Sequence, residues 1–109
     1  MNTELPEPVV AYLAAEKRKD SAALAQCFDD AAIVRDEGRE HRGAAAIEAW
    51  HRETNAKVSY VVEPLDASVN NATVIVRTRV SGDFLGSPAE LRNHFTLNGD
   101  HIALLELKP

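Results

Sequence analysis

The chain has 109 residues, 45% of them hydrophobic and 27% charged, enough for one folded domain spanning residues 1–109 around a single core. Seventeen acidic side chains against twelve Lys and Arg leave a net charge of −5, which excludes nucleic acid as a partner because the basic footprint for phosphates is missing. Cys27, the single cysteine, rules out an internal disulfide and a multi-cysteine zinc site. No apolar run reaches the ~18 residues of a membrane span, and residues 1–6 lack the basic and apolar parts of a signal peptide. The expectation is a cytoplasmic protein with no membrane contact.

Val9, Tyr12 and Leu13 recur at helical spacing, Pro6 and Pro8 suit a first turn, and Lys17, Arg18 and Lys19 complement the C-terminal end. Asp20 reads as the N-cap of a second, short helix with Leu24, Cys27 and Phe28 on one stripe, so two helices occupy residues 6–29. On this reading the charged run 16–20 is a solvated helix end and Cys27 a small buried hydrophobe. Ala32, Val34 and Asp36 alternate with Ile33 and Arg35, which predicts a short strand ending in the turn Glu37-Gly38-Arg39. A third helix follows Gly43, with Ile47, Trp50 and Thr54 on one face.

From residue 57 the period changes to two. Residues 57–65 and 73–81 read as strands, and 82–88 as a bent connection. Residues 91–97 and 101–107 form a hairpin around a type I′ turn at Asn98-Gly99. Helices followed by hairpin-linked strands make an α+β domain whose antiparallel sheet packs on the helices. No βαβ alternation, GxGxxG or phosphate loop is present.

Three polar side chains stand on apolar faces. Tyr12 lies on the stripe of Val9 and Leu13, Asp36 shares strand parity with Ala32 and Val34, and Asn93 shares it with Leu91, Phe95 and Leu97. Each has a structural reading: a core phenol, a turn carboxylate, a backbone hydrogen-bonder. Together they also describe the wall of a cavity, since unpartnered polar groups are costly to bury. The four histidines show no metal-binding spacing, so no metal is expected. Arg77 and Arg79 face the opposite way from Val74, Val76, Thr78 and Val80, toward solvent or a second copy.

Val9-Val10-x-Tyr12, Asp20, Phe28-Asp29-Asp30-Ala31, Val34-Arg35-Asp36, His41-Arg42-Gly43-x-Ala45-Ala46-Ile47 and His94-Phe95-x-Leu97 follow one another as in nuclear-transport-factor-2-like proteins. The chain resembles their SnoaL-like and ketosteroid-isomerase-like branch over nearly its whole length. The resemblance implies a cone-shaped, curved antiparallel sheet wrapped around three N-terminal helices, a cystatin-like roll with an apolar pocket. It also implies Asp36 as general base, Tyr12 as oxyanion donor, and Asn93 as second donor where ketosteroid isomerases carry a protonated aspartic acid. In those enzymes an apolar site keeps that acid neutral so that it can donate; an amide donates without any pKa adjustment.

The substrate would be a small, flat hydrophobic molecule held by Val34, Trp50, Tyr60, Val62, Val76 and Phe95, with no cofactor. A homodimer through the outer sheet face is implied by the same resemblance. Three function classes stay open: an isomerase or aldol-type cyclase, a non-catalytic binding or dimerisation module, and a cofactor-free epoxide hydrolase. The last needs an Asp-Arg-Asp arrangement in which Asp36 serves; Asp66 and Asp83 read as turn residues and Arg77 faces outward.

Overall fold

The computed structural model describes residues 5–109. Helix α1 (Glu7–Arg18) starts behind Pro6 and ends at Lys19, whose left-handed conformation (φ 57°) turns its N–H onto the carbonyls of Ala15 and Glu16. The next residue, Asp20, caps α2 (Ser21–Gln26) by accepting from the Ala23 N–H at 3.1 Å. Then come β1 (Phe28–Asp36), β2 (Arg39–Arg42), α3 (Ala44–Lys57), β3 (Tyr60–Asn70), β4 (Thr73–Gly82), β5 (Ala89–Asn98) and β6 (His101–Lys108). The strands form one curved, unclosed sheet in the order β2-β1-β6-β5-β4-β3. All pairs are antiparallel except β1 with β6. The helices fill the concave side, where Val9, Leu24, Phe28, Ile47, Phe95 and Leu105 are buried. The α+β nuclear-transport-factor-2-like roll expected from the sequence is the observed architecture.

Local boundaries differ for physical reasons. The second helix stops at Gln26 and β1 begins at Phe28, four residues early. A register irregularity between Phe28 and Ile33 against β6 breaks the alternation that would have shown it. Strand β2 follows the predicted turn directly and carries no strand signal, because Arg39-Glu40-His41-Arg42 has no apolar residue. It is held by pairing from Ile33↔Arg42 to Asp36↔Arg39 around Glu37 (φ 52°) and Gly38 (φ 76°), the positive angles of a type I′ turn.

Strand β3 runs on to Asn70 because a bulge between Pro64 and Asp66 shifts its parity by one. Tyr60 and Val62 face inward before it, Leu65 and Ala67 after it. Asp66 is therefore a strand residue on the outer face rather than part of a turn. In the last hairpin Asn98 pairs with His101, so Gly99 (φ 60°) and Asp100 form the turn, one residue later than expected. Glycine at the first position suits type II′. Asn98 instead donates its side-chain amide to Asp29 Oδ2 at 2.8 Å.

The outer face is laced with ion pairs: Arg77 bridges Asp66 and Glu90 on the two neighbouring strands, and Arg35 bridges Glu40 and Glu106. Among the described residues no helix is long and apolar enough to cross a membrane.

Gly82 closes the β3–β4 pair opposite Tyr60. A Cβ there would stand 2.1 Å from the Ser59 carbonyl oxygen and 2.7 Å from the Tyr60 Cα. The obstacle is backbone, so Gly82→Ala is expected to destabilise the fold by about 1–3 kcal/mol through overpacking. Urea unfolding of the variant measures this directly, and an unchanged midpoint would contradict it.

Candidate active site

Between the inner face of β3, β4 and β5 and helices α1 and α3 lies a cavity of about 280 Å³. Its wall is mostly apolar, from Leu13, Val58, Val62, Val80, Leu91 and Leu107. Into this wall the fold brings Tyr12 from α1, Trp50 from α3, Asp36 from the end of β1, Tyr60 from β3 and Asn93 from β5. The three polar residues singled out from the sequence thus share one cavity. Of the expected apolar contacts, Trp50, Tyr60 and Val62 line it. Val34, Val76 and Phe95 are at most 1% exposed and form the core behind it.

Asp36 is the last residue of β1 before the tight turn, so its side chain is aimed by the strand rather than by a flexible loop. It is half-buried, and its Oδ2 accepts from the Trp50 indole N–H at 3.1 Å. Burial pushes its pKa up, partly offset by that hydrogen bond. Neighbouring Glu37 adds to the rise and His41 opposes it.

Tyr12 packs edge-to-face on Phe95 (ring centroids 5.2 Å apart) and on Phe28 (6.0 Å), which fixes its ring. Burial, then the charge of Glu16, raises its pKa well above the ordinary phenol value, so it remains a neutral O–H donor. Tyr60, raised by burial and by Glu16, does the same.

Asn93 is 6% exposed. Its Nδ2 donates to the Val76 carbonyl at 3.0 Å and to Thr78 Oγ1 at 3.1 Å. The amide expected to supply a second donor to an oxyanion therefore already uses both hydrogens inside the wall.

Residues 9–105 match the model of the SnoaL-like domain. The chain belongs to the SnoaL-like family. No curated protein matches this SnoaL-like chain in sequence. It is similar to the solved structure of a candidate polyketide cyclase from Sinorhizobium meliloti, at 40% identity over 95% of each chain and a TM-score of 0.92. A hypothetical protein with a ketosteroid isomerase-like fold from Catenulispora acidiphila, solved in complex with trimethylamine, has 21% identity. The match covers 97% of this chain and 87% of that one at a TM-score of 0.86. An NTF2-like protein of unknown function from Cytophaga hutchinsonii has 12% identity over 98% and 92% of the two chains, at 0.75. The last two share the fold.

Sequence reasoning missed a further polar group in this SnoaL-like cavity. Glu16 lines it and is 6% exposed, so the run 16–20 is not simply a solvated helix end. Its Oε1 meets His51 Nε2 at 3.0 Å and its Oε2 takes Lys19 Nζ at 2.6 Å. His51, 1% exposed, meets Ser21 Oγ at 2.6 Å through Nδ1. Lys19 also caps the Tyr60 ring, its Nζ 3.4 Å from the centroid. Burial alone would raise the Glu16 pKa, but the hydrogen bonds from His51 and Lys19 and their charge hold it below the usual value. Glu16 stands i+7, i+4 and i+3 from Val9, Tyr12 and Leu13 on the same α1 stripe, a signal that the charges following it obscure. Thr78 had a signal, its inward parity between Val76 and Val80 on β4.

Proposed function

We propose that this SnoaL-like domain performs cofactor-independent acid–base chemistry next to the carbonyl of a small, flat hydrophobic compound, as an isomerase or aldol-type cyclase. The observation that carries the reading is Asp36: a half-buried carboxylate with its pKa raised by burial, aimed by a strand end into an apolar cavity that also holds Tyr12. Such a carboxylate is the positioned base that proton abstraction from carbon requires. Asp36 takes the proton, the C–H electrons pass to the carbonyl, and the Tyr12 O–H donates to the enolate oxygen. Asp36 then returns the proton to a different carbon in an isomerisation, or the enolate carbon attacks a second carbonyl in a ring closure. The π electrons of that carbonyl then pass to its oxygen, which takes the proton back from Asp36 to give a hydroxyl. The similarity to a candidate polyketide cyclase at 40% identity supports this class. The cavity volume, near the lower end of ligand pockets, suits one or two fused rings.

The epoxide hydrolase arrangement finds less support. Arg77 sits on the outer face between Asp66 and Glu90, and no arginine is among the cavity-lining residues.

The test is proton exchange at the α-carbon of alpha-tetralone in deuterium oxide, followed by loss of the α-proton NMR signal. Enzyme-dependent exchange is expected, and Tyr12→Phe should slow it by about 10²–10³-fold, the effect of removing one oxyanion donor. Binding without exchange across a panel of flat aryl ketones and β-diketones would instead establish a non-catalytic module.

A further inference from the structure

The orientation of the Asn93 amide is fixed by its neighbours. The Val76 main-chain oxygen only accepts, so the group 3.0 Å from it is Nδ2; the reversed amide would set two oxygens against each other. The second Nδ2 hydrogen goes to Thr78 Oγ1, whose own hydrogen points to the Leu91 carbonyl at 3.4 Å. What Asn93 retains is Oδ1. Among the described residues no donor reaches Oδ1, and no buried side-chain oxygen is left without a partner. On a residue that is 6% exposed and lines the cavity, Oδ1 therefore opens onto the cavity.

The rest of the wall shows the same imbalance. The Trp50 N–H is held by Asp36, and the Thr54 hydroxyl donates to the Trp50 carbonyl at 2.9 Å. Tyr60 faces the Glu16 carboxylate. That leaves Tyr12 as the donor for a ligand carbonyl and acceptors elsewhere.

We propose that Asn93 meets the ligand as a hydrogen-bond acceptor, and that the cavity selects carbonyl compounds bearing a hydroxyl group that donates to Oδ1. The proposal rests on the reading of this cavity as the ligand site, and it names the substrate class: hydroxylated aryl ketones rather than plain ones. It also assigns Asn93 to specificity rather than to the enolate oxygen. A buried acceptor left facing a ligand without a donor loses its solvation with nothing in return, so the discrimination is built into the wall.

The experiment compares a phenolic hydroxytetralone with the fluorotetralone substituted at the same ring position, titrated by Trp50 fluorescence. The intact protein should bind the phenol at least about tenfold more tightly, the size of one well-made buried hydrogen bond. In Asn93→Leu, where neither ligand meets an acceptor at this place in the wall, that preference should fall to within about twofold. A measurement on the unsubstituted protein covers failure of the variant to fold. On phenol binding the Asn93 carbonyl carbon should shift in the NMR spectrum while its two amide protons, engaged by Val76 and Thr78, stay in place.

Equal affinity for the two ketones, a preference that survives Asn93→Leu, or a downfield shift of the amide protons overturns the proposal. Discrimination without α-proton exchange upholds it and overturns the enzymatic reading. Exchange without discrimination does the reverse. Absence of saturable binding by either ketone overturns both.

Discussion

Asp36→Asn is expected to cut α-proton exchange by about 10²–10⁴-fold, the usual contribution of a positioned base. Asparagine is nearly isosteric, and its carbonyl oxygen still accepts from the Trp50 N–H, so the cavity keeps its shape. Stability should be unchanged or slightly raised. Burial lifts the Asp36 pKa above its unfolded value, so the fold holds that proton more tightly than the unfolded chain does. Its stabilising contribution is present below the unfolded pKa and is lost as pH rises through the folded one. At neutral pH the ionised carboxylate is thus a cost that the amide removes.

The same shift sets the acid limb of the rate profile. Activity should decline as pH falls through a value above the ordinary aspartate range, and Trp50→Phe, by removing the one hydrogen bond that opposes the shift, should move that limb higher still. Exchange rates across pH, with thermal unfolding at neutral pH, measure all three effects. A variant that exchanges protons at the parent rate would exclude Asp36 as the base.

His51→Ala should cost about 2–4 kcal/mol of stability, from the cavity left by a buried ring and the hydrogen bonds that Glu16 and Ser21 lose. The imidazole is 1% exposed and joins three helices: Ser21 from α2 on Nδ1, Glu16 from α1 on Nε2, and its own α3. Without it Glu16 remains buried with Lys19 as its ion-pair partner, and the Ser21 hydroxyl loses its partner.

The pH dependence separates this from a simple packing defect. The Glu16 pKa is depressed, so its contribution is present above the unfolded carboxylate value and disappears as pH falls through the folded one. The stability difference between His51→Ala and the parent should therefore be widest at neutral pH and shrink below about pH 4. Urea unfolding at both ends of that range decides it. A constant difference would assign the loss to volume alone.

The SnoaL-like fold also explains why these two carboxylates behave differently. Asp36 has one indole N–H and a cavity; Glu16 has an imidazole and an ammonium. Partner count, more than burial, sends one pKa up and the other down.

Much of this was readable along the chain because it is local. The basic C-terminal end of α1, the Asp20 cap, the α3 stripe of Ile47 and Trp50, and the alternation of β4 and β5 each depend on residues within a few positions. So do Tyr12, Asp36 and Asn93 as candidates, since each is a polar residue riding an apolar period. What depends on distant partners was not readable. Strand β2 exists because β1 pairs with it, and the His51 imidazole that Glu16 meets is brought to α1 only by the packing of α3.

Composition and pattern by themselves determined one acidic α+β domain with three polar groups turned inward. The tertiary structure alone decided which way the Asn93 amide faces. The β4–β5 register sets Val76 opposite Asn93 and brings Thr78 within reach, which takes both amide hydrogens and leaves an oxygen to the cavity. Periodicity assigns a side chain to a face, but hydrogen-bond valence is settled by neighbours that only the folded sheet supplies.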